Sequence, residues 1–334
     1  MSKPSVKKKH WIRNSVLGGF FGTLVFLSMG WSFFRFFTYG GQKKTPNKDR
    51  KEPSWKWFKL KHTTINHPRY EYGEEYDKVG EWCEAQPMTD WYIRNEDGLR
   101  LHASWLPAEK PERIVMMVHG FRGHRFGSIA SIAPFLHEHN CSILLIDQRC
   151  CGESEGKYIT YGAREQHDVI EWLERIDEEN PDGLPVYLYG QSMGAATVLL
   201  AAGHPVPGNL RGVIADCGFR SMRRTLSDIA EKWFHLKRIN LLLLRVELFC
   251  RLFAGFSMKD TDCTEALKNA HFPVLFFHGE ADTYVWPENT RENYELCRSE
   301  KELVLVPGAR HLCSSYVAPE LYQDRILAFF ERLD

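Results

Sequence analysis

The sequence predicts an α/β fold in which a mostly parallel sheet is covered on both faces by helices. From about residue 89 onward, short β-rich runs alternate with helical runs, and most of the β-rich runs are apolar throughout. Continuous apolar runs are typical of parallel strands buried on both faces, and their alternation with helices is typical of a doubly covered sheet. Ligands bind such sheets at the carboxyl ends of the strands, so we expect the functional site at that edge.

The elements follow one another in a regular order. Residues 88–95 and 99–107 flank Glu96, Asp97 and Gly98, a pattern that predicts a β-hairpin. The further predicted strands are 113–120, 141–149, 185–190, 211–218, 273–279 and 302–308. The predicted helices are 128–138, 164–179, 193–202, 287–297 and 320–333.

Residues 219–268 interrupt this alternation. Met222–Phe234 is amphipathic, and residues 239–256 are strongly apolar but contain Arg245 and Arg251, which argue against a membrane span. We expect a helical insertion over the carboxyl edge of the sheet. It consists either of ordinary packing helices or, as we favour, of a lid that lines an apolar pocket.

Composition and charge exclude several classes of protein. The chain has 334 residues, of which 43% are hydrophobic and 26% charged, which excludes a wholly disordered, collagen-like or polytopic membrane protein. It has 43 basic and 43 acidic residues, but eleven of the basic ones and only two acidic ones lie in residues 1–52, which leaves the remainder at −9. Because an acidic body without a basic stripe does not attract nucleic acid, we expect no nucleic-acid partner.

The amino-terminal region predicts a single membrane anchor. Residues 15–34 contain no charge, and about 20 helical residues are enough to cross a hydrocarbon core of roughly 30 Å. This run is longer than the apolar part of a signal peptide and lacks an A-x-A cleavage site. We therefore expect a basic segment at 1–14, a transmembrane signal anchor at 15–39, a juxtamembrane linker at 40–60 and a catalytic domain at 61–334.

The side of the membrane on which the body lies is less directly indicated. Cations flank the apolar run on both sides, and the five ahead of it favour an amino terminus inside and an extracytoplasmic body. The nine cysteines show no CxxC pair or zinc-type spacing, so we expect free thiols and no metal site. Free thiols suit a reducing compartment, and this keeps a cytosol-facing body open as an alternative.

A serine nucleophile is indicated by the sequence GQSMG, which spans Gly190 to Gly194. This G-x-S-x-G pattern stands directly between a predicted strand and an Ala-rich helix, the context that a nucleophile elbow requires. Gly190 and Gly194 are small because the turn is tight. Ser192 lies at the start of a helix, where backbone N–H groups favour negative charge.

A base and an acid follow the serine in the chain. Asp282 comes just after the strand at 273–279, and His311 just after the strand at 302–308. A serine hydroxyl needs a histidine to take its proton and a carboxylate to orient that histidine. We therefore expect Ser192, Asp282 and His311 to be catalytic, with Glu280 as the alternative acid.

The negative oxygen of a tetrahedral intermediate needs N–H donors. One is expected from Met193, directly after the serine, and the other from the loop after the strand at 113–120, where Phe121 is the candidate. His119 is expected to donate to the loop backbone. His124 suits either a substrate contact or a solvated loop position.

From about residue 89 to the end, the chain resembles the α/β-hydrolase fold serine hydrolases. It is similar to the bacterial membrane-anchored branch grouped with serine aminopeptidase-like and monoacylglycerol lipase-like hydrolases. The matching motifs are VHG at 118–120, DQRCCGESEG at 147–156, GQSMG at 190–194, HGEADTYV at 278–285 and GARH at 308–311. Two departures are Cys150, where the family has glycine, and Trp286, where proline often follows the valine.

The residues and the resemblance together imply a membrane-anchored serine hydrolase that works through an acyl-enzyme without a cofactor. We expect a small-molecule or lipid-like ester as its substrate, with carboxylic esters and monoacyl lipids ahead of small peptides. A peptidase or amidase remains an alternative. So does a non-catalytic surface binding protein, because a hydrolase fold alone does not fix function.

Overall fold

The computed structural model describes residues 27–40 and 67–334. Its strands are β1 (Thr89–Arg94), β2 (Arg100–Leu106), β3 (Arg113–Val118), β4 (Cys141–Asp147), β5 (Val186–Gln191), β6 (Leu210–Asp216), β7 (Val274–Gly279) and β8 (Lys301–Val306). Within the described residues they form one eight-stranded sheet in the order β1-β2-β4-β3-β5-β6-β7-β8. β2 runs antiparallel to β1 and β4, and the six strands β3 to β8 run parallel to one another.

Helices cover both faces of the sheet. They are α1 (27–38), α2 (Gly73–Ala85), α3 (Ala133–Glu138), α4 (Glu165–Glu178), α5 (Met193–Ala201), α6 (Met222–Phe234), α7 (Asn240–Phe249), α8 (Thr264–Lys268), α9 (Glu288–Leu296), α10 (Ser314–Val317) and α11 (Pro319–Leu333). Trp172 of α4 and Val198 of α5 belong to the core on one face, and Leu136 of α3 and Phe329 of α11 to the core on the other. The predicted sheet with helices on both faces is confirmed.

The register of the parallel strands brings their carboxyl ends to one edge. Val118 at the end of β3 pairs with Gly190 in β5, and Gly279 at the end of β7 pairs with Val306 at the end of β8. The loops that follow these four strands therefore start close together, and they carry the predicted site residues.

Helix α2 precedes the hairpin and was not expected from the sequence. Its Cys83 is buried, and Val79 and Trp82 pack against the same core as α3 and α11. The spacing of these three side chains is helical, and Glu74 and Glu75 in the first turn suit the positive end of the helix dipole. The sequence therefore contains an apolar stripe that indicates this helix, but the stripe is short.

The insertion at 219–268 contains α6, α7 and α8, which lie between β6 and β7 as expected. The indole N–H of Trp233, near the end of α6, donates to the carbonyl of Thr283 at 2.9 Å, in the loop that follows β7. This contact places the end of α6 over the carboxyl edge of the sheet. On and just after α7, four leucines project into solvent: Leu241, Leu244, Leu248 and Leu252.

The predicted segments at 1–14 and at 41–60 lie outside the described residues, as do residues 15–26 of the predicted anchor. Of the remaining part of the predicted anchor, 27–39, residues 27–38 are helical and contact the body, with Phe34 fully buried. Across residues 27–40 and 67–334, no helix combines the length and the hydropathy needed to cross a bilayer.

A buried ion cluster fixes the loop between β3 and α3. Oδ2 of Asp147 accepts hydrogen bonds from Arg125 at 2.6 Å and Glu153 N at 3.1 Å and lies 3.0 Å from His102 Nδ1. Burial alone would raise the pKa of Asp147. The hydrogen bond from His102 and the charge of Arg125 outweigh burial and hold that pKa well below its usual range.

We predict that Asp147→Asn lowers the free energy of unfolding by about 3 kcal/mol at pH 7, because it removes the buried carboxylate that pairs with Arg125 and with the fully buried His102. Asp90→Asn is the matched control, since Asp90 lies 3.0 Å from the other ring nitrogen of His102 but its side chain is 56% exposed. It should cost less than about 1 kcal/mol in urea denaturation. A carboxylate with a depressed pKa stabilises above the unfolded pKa, so the Asp147→Asn deficit should shrink below about pH 4. Equal losses of unfolding free energy in the two variants would contradict the role of Asp147 as the central charge of this cluster.

Candidate active site

Ser192 occupies a strained turn between β5 and α5. Its φ is 55° and its ψ −115°, in a region that residues other than glycine rarely adopt. A side chain at Gly190 would collide with the backbone of Gly194, and one at Gly194 with the carbonyl of Val118. The two glycines thus allow β3, β5 and α5 to approach closely enough to hold the serine at the end of the sheet.

Ser192, His311 and Asp282 form one hydrogen-bonded row. Ser192 Oγ lies 2.9 Å from His311 Nε2, and His311 Nδ1 lies 2.6 Å from Asp282 Oδ2. Because the carboxylate can only accept, Nδ1 carries the proton and Nε2 is free to accept from the serine hydroxyl. The three side chains are almost fully buried, with exposed fractions of 5%, 5% and 2% for the serine, the histidine and the aspartate.

Asp282 is held as a charged carboxylate by more than His311. Its Oδ1 accepts from the backbone N–H groups of Tyr284 at 2.8 Å and Val285 at 2.9 Å. Its Oδ2 lies 3.2 Å from His278 Nε2, which also lies 2.8 Å from Val285 O and must carry a proton because it faces two acceptors. Burial favours the neutral acid, but the electrostatic interaction with His311 and the hydrogen bonds from both histidines keep the pKa of Asp282 well below its usual range.

The role of His278 was not foreseen from the sequence. It is the next-to-last residue of the buried strand β7 and its ring is fully buried, so from the sequence alone it could equally be an ordinary core histidine. Its spacing of four residues before Asp282 is the one local signal. The structure makes it a donor that fixes the orientation of the carboxylate.

The loop after β3 passes directly beside the serine. A Cβ placed on Gly120 would lie 3.7 Å from Ser192 Oγ. His119 Nδ1 donates to the carbonyl of Gly120 at 2.7 Å, and its Nε2 accepts from the backbone N–H of Gln148 at 3.0 Å. His119 is therefore neutral and has the expected backbone role. Phe121 follows at the next position of this loop.

The remaining candidates from the sequence are Met193 for the oxyanion, Glu280 for the acid and His124 for a substrate contact. Met193 is the first residue of α5, directly after the serine, and is buried. Glu280 is 44% exposed and lies 3.6 Å from Arg291, and the hydrogen-bond partner of His311 is Asp282. The structure therefore does not bring the alternative acid into the row. His124 is half-buried in the loop after β3.

Aromatic side chains surround the row of three. The Tyr284 ring lies 5.0 Å from that of His311, and the Trp233 ring lies 5.6 Å from that of Tyr284. Phe121, in the loop beside the serine, stacks on Tyr161 at 5.3 Å. Burial raises the pKa of Tyr161 well above its ordinary value, so its phenol stays neutral. These rings give the surroundings of the serine an apolar character.

One group of possible metal ligands among the described residues overlaps the row. Cys217 Sγ, an Asp282 oxygen and a His311 nitrogen all lie within 4.8 Å of one another. Asp282 and His311 are already bonded to each other, and burial raises the pKa of the Cys217 thiol well above its ordinary value. A neutral thiol is a poor metal ligand, so this donor set does not suit a resident ion. All nine cysteines are free and buried, as expected.

Comparison with known proteins places the chain among hydrolases. It is 27% identical over 257 residues to the uncharacterized protein YqkD of Bacillus subtilis, covering 77% of this chain and 83% of that protein. It is 29% identical over 126 residues to the human monoglyceride lipase, covering 37% of this chain and 41% of the lipase.

Solved structures show the same fold. An esterase of Pyrococcus furiosus superimposes with a TM-score of 0.61 and 22% identity, covering 75% of this chain and 94% of that chain. Est1E of Butyrivibrio proteoclasticus, solved with ferulic acid, superimposes with a TM-score of 0.55 and 20% identity, covering 73% of this chain and 98% of that chain. At these identities the likeness establishes the α/β-hydrolase fold.

The family itself is settled by sequence. The family model described as serine aminopeptidase, S33, matches residues 109–246 and 237–314, which together make up more than half of the chain. With the α/β-hydrolase fold and the lipase relatives, this match identifies a hydrolase enzyme, and the chain belongs to the serine aminopeptidase S33 family of α/β-hydrolase-fold serine hydrolases.

Proposed function

We propose that the protein hydrolyses carboxylic esters, with monoacyl lipids as the favoured class, through an acyl-enzyme on Ser192. The observation that carries the proposal is the hydrogen-bonded row of Ser192, His311 and Asp282, with distances of 2.9 and 2.6 Å. It lies at the carboxyl edge of the sheet, where this fold places its chemistry. The relatives named lipase and esterase favour the same reaction class.

The geometry indicates how each group would act. Ser192 Oγ attacks the ester carbon while His311 Nε2 takes the hydroxyl proton, and the charge of Asp282 stabilises the imidazolium that forms. The carbonyl oxygen becomes an oxyanion, for which the N–H groups of Phe121 and Met193 are the proposed donors. His311 then gives its proton to the leaving alkoxide, and water repeats the sequence to release the acid.

An acyl substrate suits the surroundings of Ser192. Phe121 stacks on Tyr161, and Tyr284 lies against His311, so these three rings offer apolar area close to the row. The leucines exposed on and after α7 form an apolar surface on the insertion that covers this edge of the sheet. Contact with an amphiphilic substrate is a reason for such residues to remain exposed.

A peptidase activity is the second candidate, favoured by the name of the family. An aminopeptidase needs a carboxylate to hold the substrate's terminal ammonium. Near the serine, Asp282 is bonded to His311, Glu280 lies beside Arg291, and Asp216 accepts from Tyr322 at 3.0 Å. Burial also raises the pKa of Asp216, so that carboxyl is less ready to carry charge. Because these carboxyl groups already have partners or are less readily charged, they favour ester hydrolysis over aminopeptidase activity.

We predict that the full chain hydrolyses p-nitrophenyl esters between C2 and C12 with a maximum at one acyl length. Ser192→Ala should lower kcat by about 10⁴-fold or more, because no other group supplies the attacking oxygen. A monoacylglycerol of the preferred length should be cleaved faster than aminoacyl p-nitroanilides. The esterase proposal would be wrong, and the peptidase proposal favoured, if the folded wild-type chain hydrolysed the anilides but was as inactive on esters as Ser192→Ala.

We also propose that the protein is anchored by a single span that begins at about residue 15 and ends ahead of Phe34, which is buried in the body, and that the body is extracytoplasmic. The support is the charge-free run at 15–34 and the basic residues ahead of it. Leu27, Met29 and Phe33, at the described end of this run, are exposed on α1 and suit contact with lipid.

The anchor predicts membrane retention in alkaline carbonate. Replacing both Leu24 and Phe26 by Arg should release the protein, because each arginine costs about 2.5 to 3.5 kcal/mol at the centre of a span. The same two positions changed to Ala are the matched control and should stay in the pellet. Protease added to intact cells should digest the body. Release of the wild-type chain by carbonate would refute the span, and protection from protease would place the body inside.

A further inference from the structure

Residues 34–40 are built into the hydrolase body. Phe34 and Thr38 are fully buried, and the Phe34 ring lies 5.5 Å from that of Tyr158. Ile159 N donates to the carbonyl of Thr38 at 2.7 Å, and Gly40 N donates to the carbonyl of Lys157 at 3.1 Å. The end of the predicted anchor thus adds a short antiparallel bridge to the loop that follows β4.

Arg122 joins this segment to the loop beside the catalytic serine. Its guanidinium donates to the carbonyl of Phe36 at 2.6 Å and to that of Tyr39 at 3.2 Å. It also lies over the ring of Phe121, 4.9 Å from the centroid. Arg122 therefore caps the carbonyl end of α1 and contacts the proposed oxyanion residue at the same time. A cation suits this end of a helix because the dipole is negative there.

The backbone of Arg122 needs such support. Its φ is 54°, in the left-handed region that residues other than glycine rarely adopt. Phe121 precedes it, so a change in the conformation of residue 122 turns the peptide plane next to the proposed donor.

We propose that Arg122 is a positioning residue, and that residues 34–40 hold the oxyanion loop in place through it. This rests on the proposed function, since it concerns the oxyanion that forms when Ser192 attacks. Hydrogen bonds to the carbonyls of Phe36 and Tyr39 hold the Arg122 guanidinium in place. The guanidinium in turn stabilises the left-handed backbone of residue 122, and this keeps the Phe121 N–H directed towards the oxyanion. The membrane-proximal segment would then be part of the catalytic apparatus as well as a tether.

The test compares Arg122→Ala with wild type in the full chain, using a soluble ester and counting active sites by fluorophosphonate titration. We expect kcat per active site to fall about 10- to 100-fold with KM changed less than about 3-fold, because a displaced donor acts on the transition state. Affinity for a trifluoromethyl ketone, whose adduct places an oxyanion in the hole, should fall by a similar factor. Affinity for the corresponding alcohol should not.

Three further variants separate positioning from general stability. Arg122→Lys keeps a cation and should recover part of the loss. Phe34→Ala loosens the docked segment, and the double change with Arg122→Ala should be no worse than the more impaired single change, because both act through one contact. Arg325→Ala, which removes an exposed pair with Glu302 at 3.2 Å, should leave kcat unchanged.

The outcomes distinguish this proposal from the function on which it rests. If wild type turns over through Ser192 but Arg122→Ala keeps its kcat and its ketone affinity, the positioning role is wrong and the hydrolase stands. The positioning role is also wrong if the activity of Arg122→Ala equals that of wild type once it is expressed per titrated active site. If wild type shows no turnover that depends on Ser192, both proposals fall.

Discussion

The arrangement of the site depends on one buried charge, the carboxylate of Asp282. It accepts from two backbone N–H groups, from His311 at 2.6 Å and from His278 at 3.2 Å, and the side chain is fully buried. A buried carboxylate is costly unless each of its oxygens is bonded. Because these partners satisfy it, it remains charged and holds His311 with Nε2 towards Ser192. The direction in which the serine proton can move follows from this arrangement.

The sheet supplies the second constraint, which is proximity. The ends of β3, β5, β7 and β8 lie at one edge, so residues more than a hundred positions apart in the chain come within hydrogen-bond distance. The turn at Ser192 is possible because Gly190 and Gly194 leave room for neighbouring backbone. Strain at φ 55° is tolerated there because well-packed strands and helices surround it.

The sequence was sufficient for those features that are local. The order of strands and helices, the hairpin and the three residues of the row could be predicted, because each lies at a strand end or in a short motif. The contact of His278 with Asp282 could not, because a histidine in a buried strand is as readily an ordinary core residue. The contacts of Arg122 could not, because its partners are backbone carbonyls far away in the chain. Helix α2 was missed because one short apolar stripe is a weak signal. The predicted boundary between anchor and linker fell at residue 40, whose N–H is bonded to the body.

The central claim is that the charge of Asp282 makes Ser192 a nucleophile. The most direct measurement is the rate at which a fluorophosphonate labels the full chain, with the modified residue identified by mass spectrometry. We predict rapid labelling of Ser192 alone, slowed about 10³-fold or more in Asp282→Asn and unchanged in the neighbouring control Glu280→Gln. A folded wild-type chain that never labels, or an Asp282→Asn variant that labels as fast as wild type, would contradict the account.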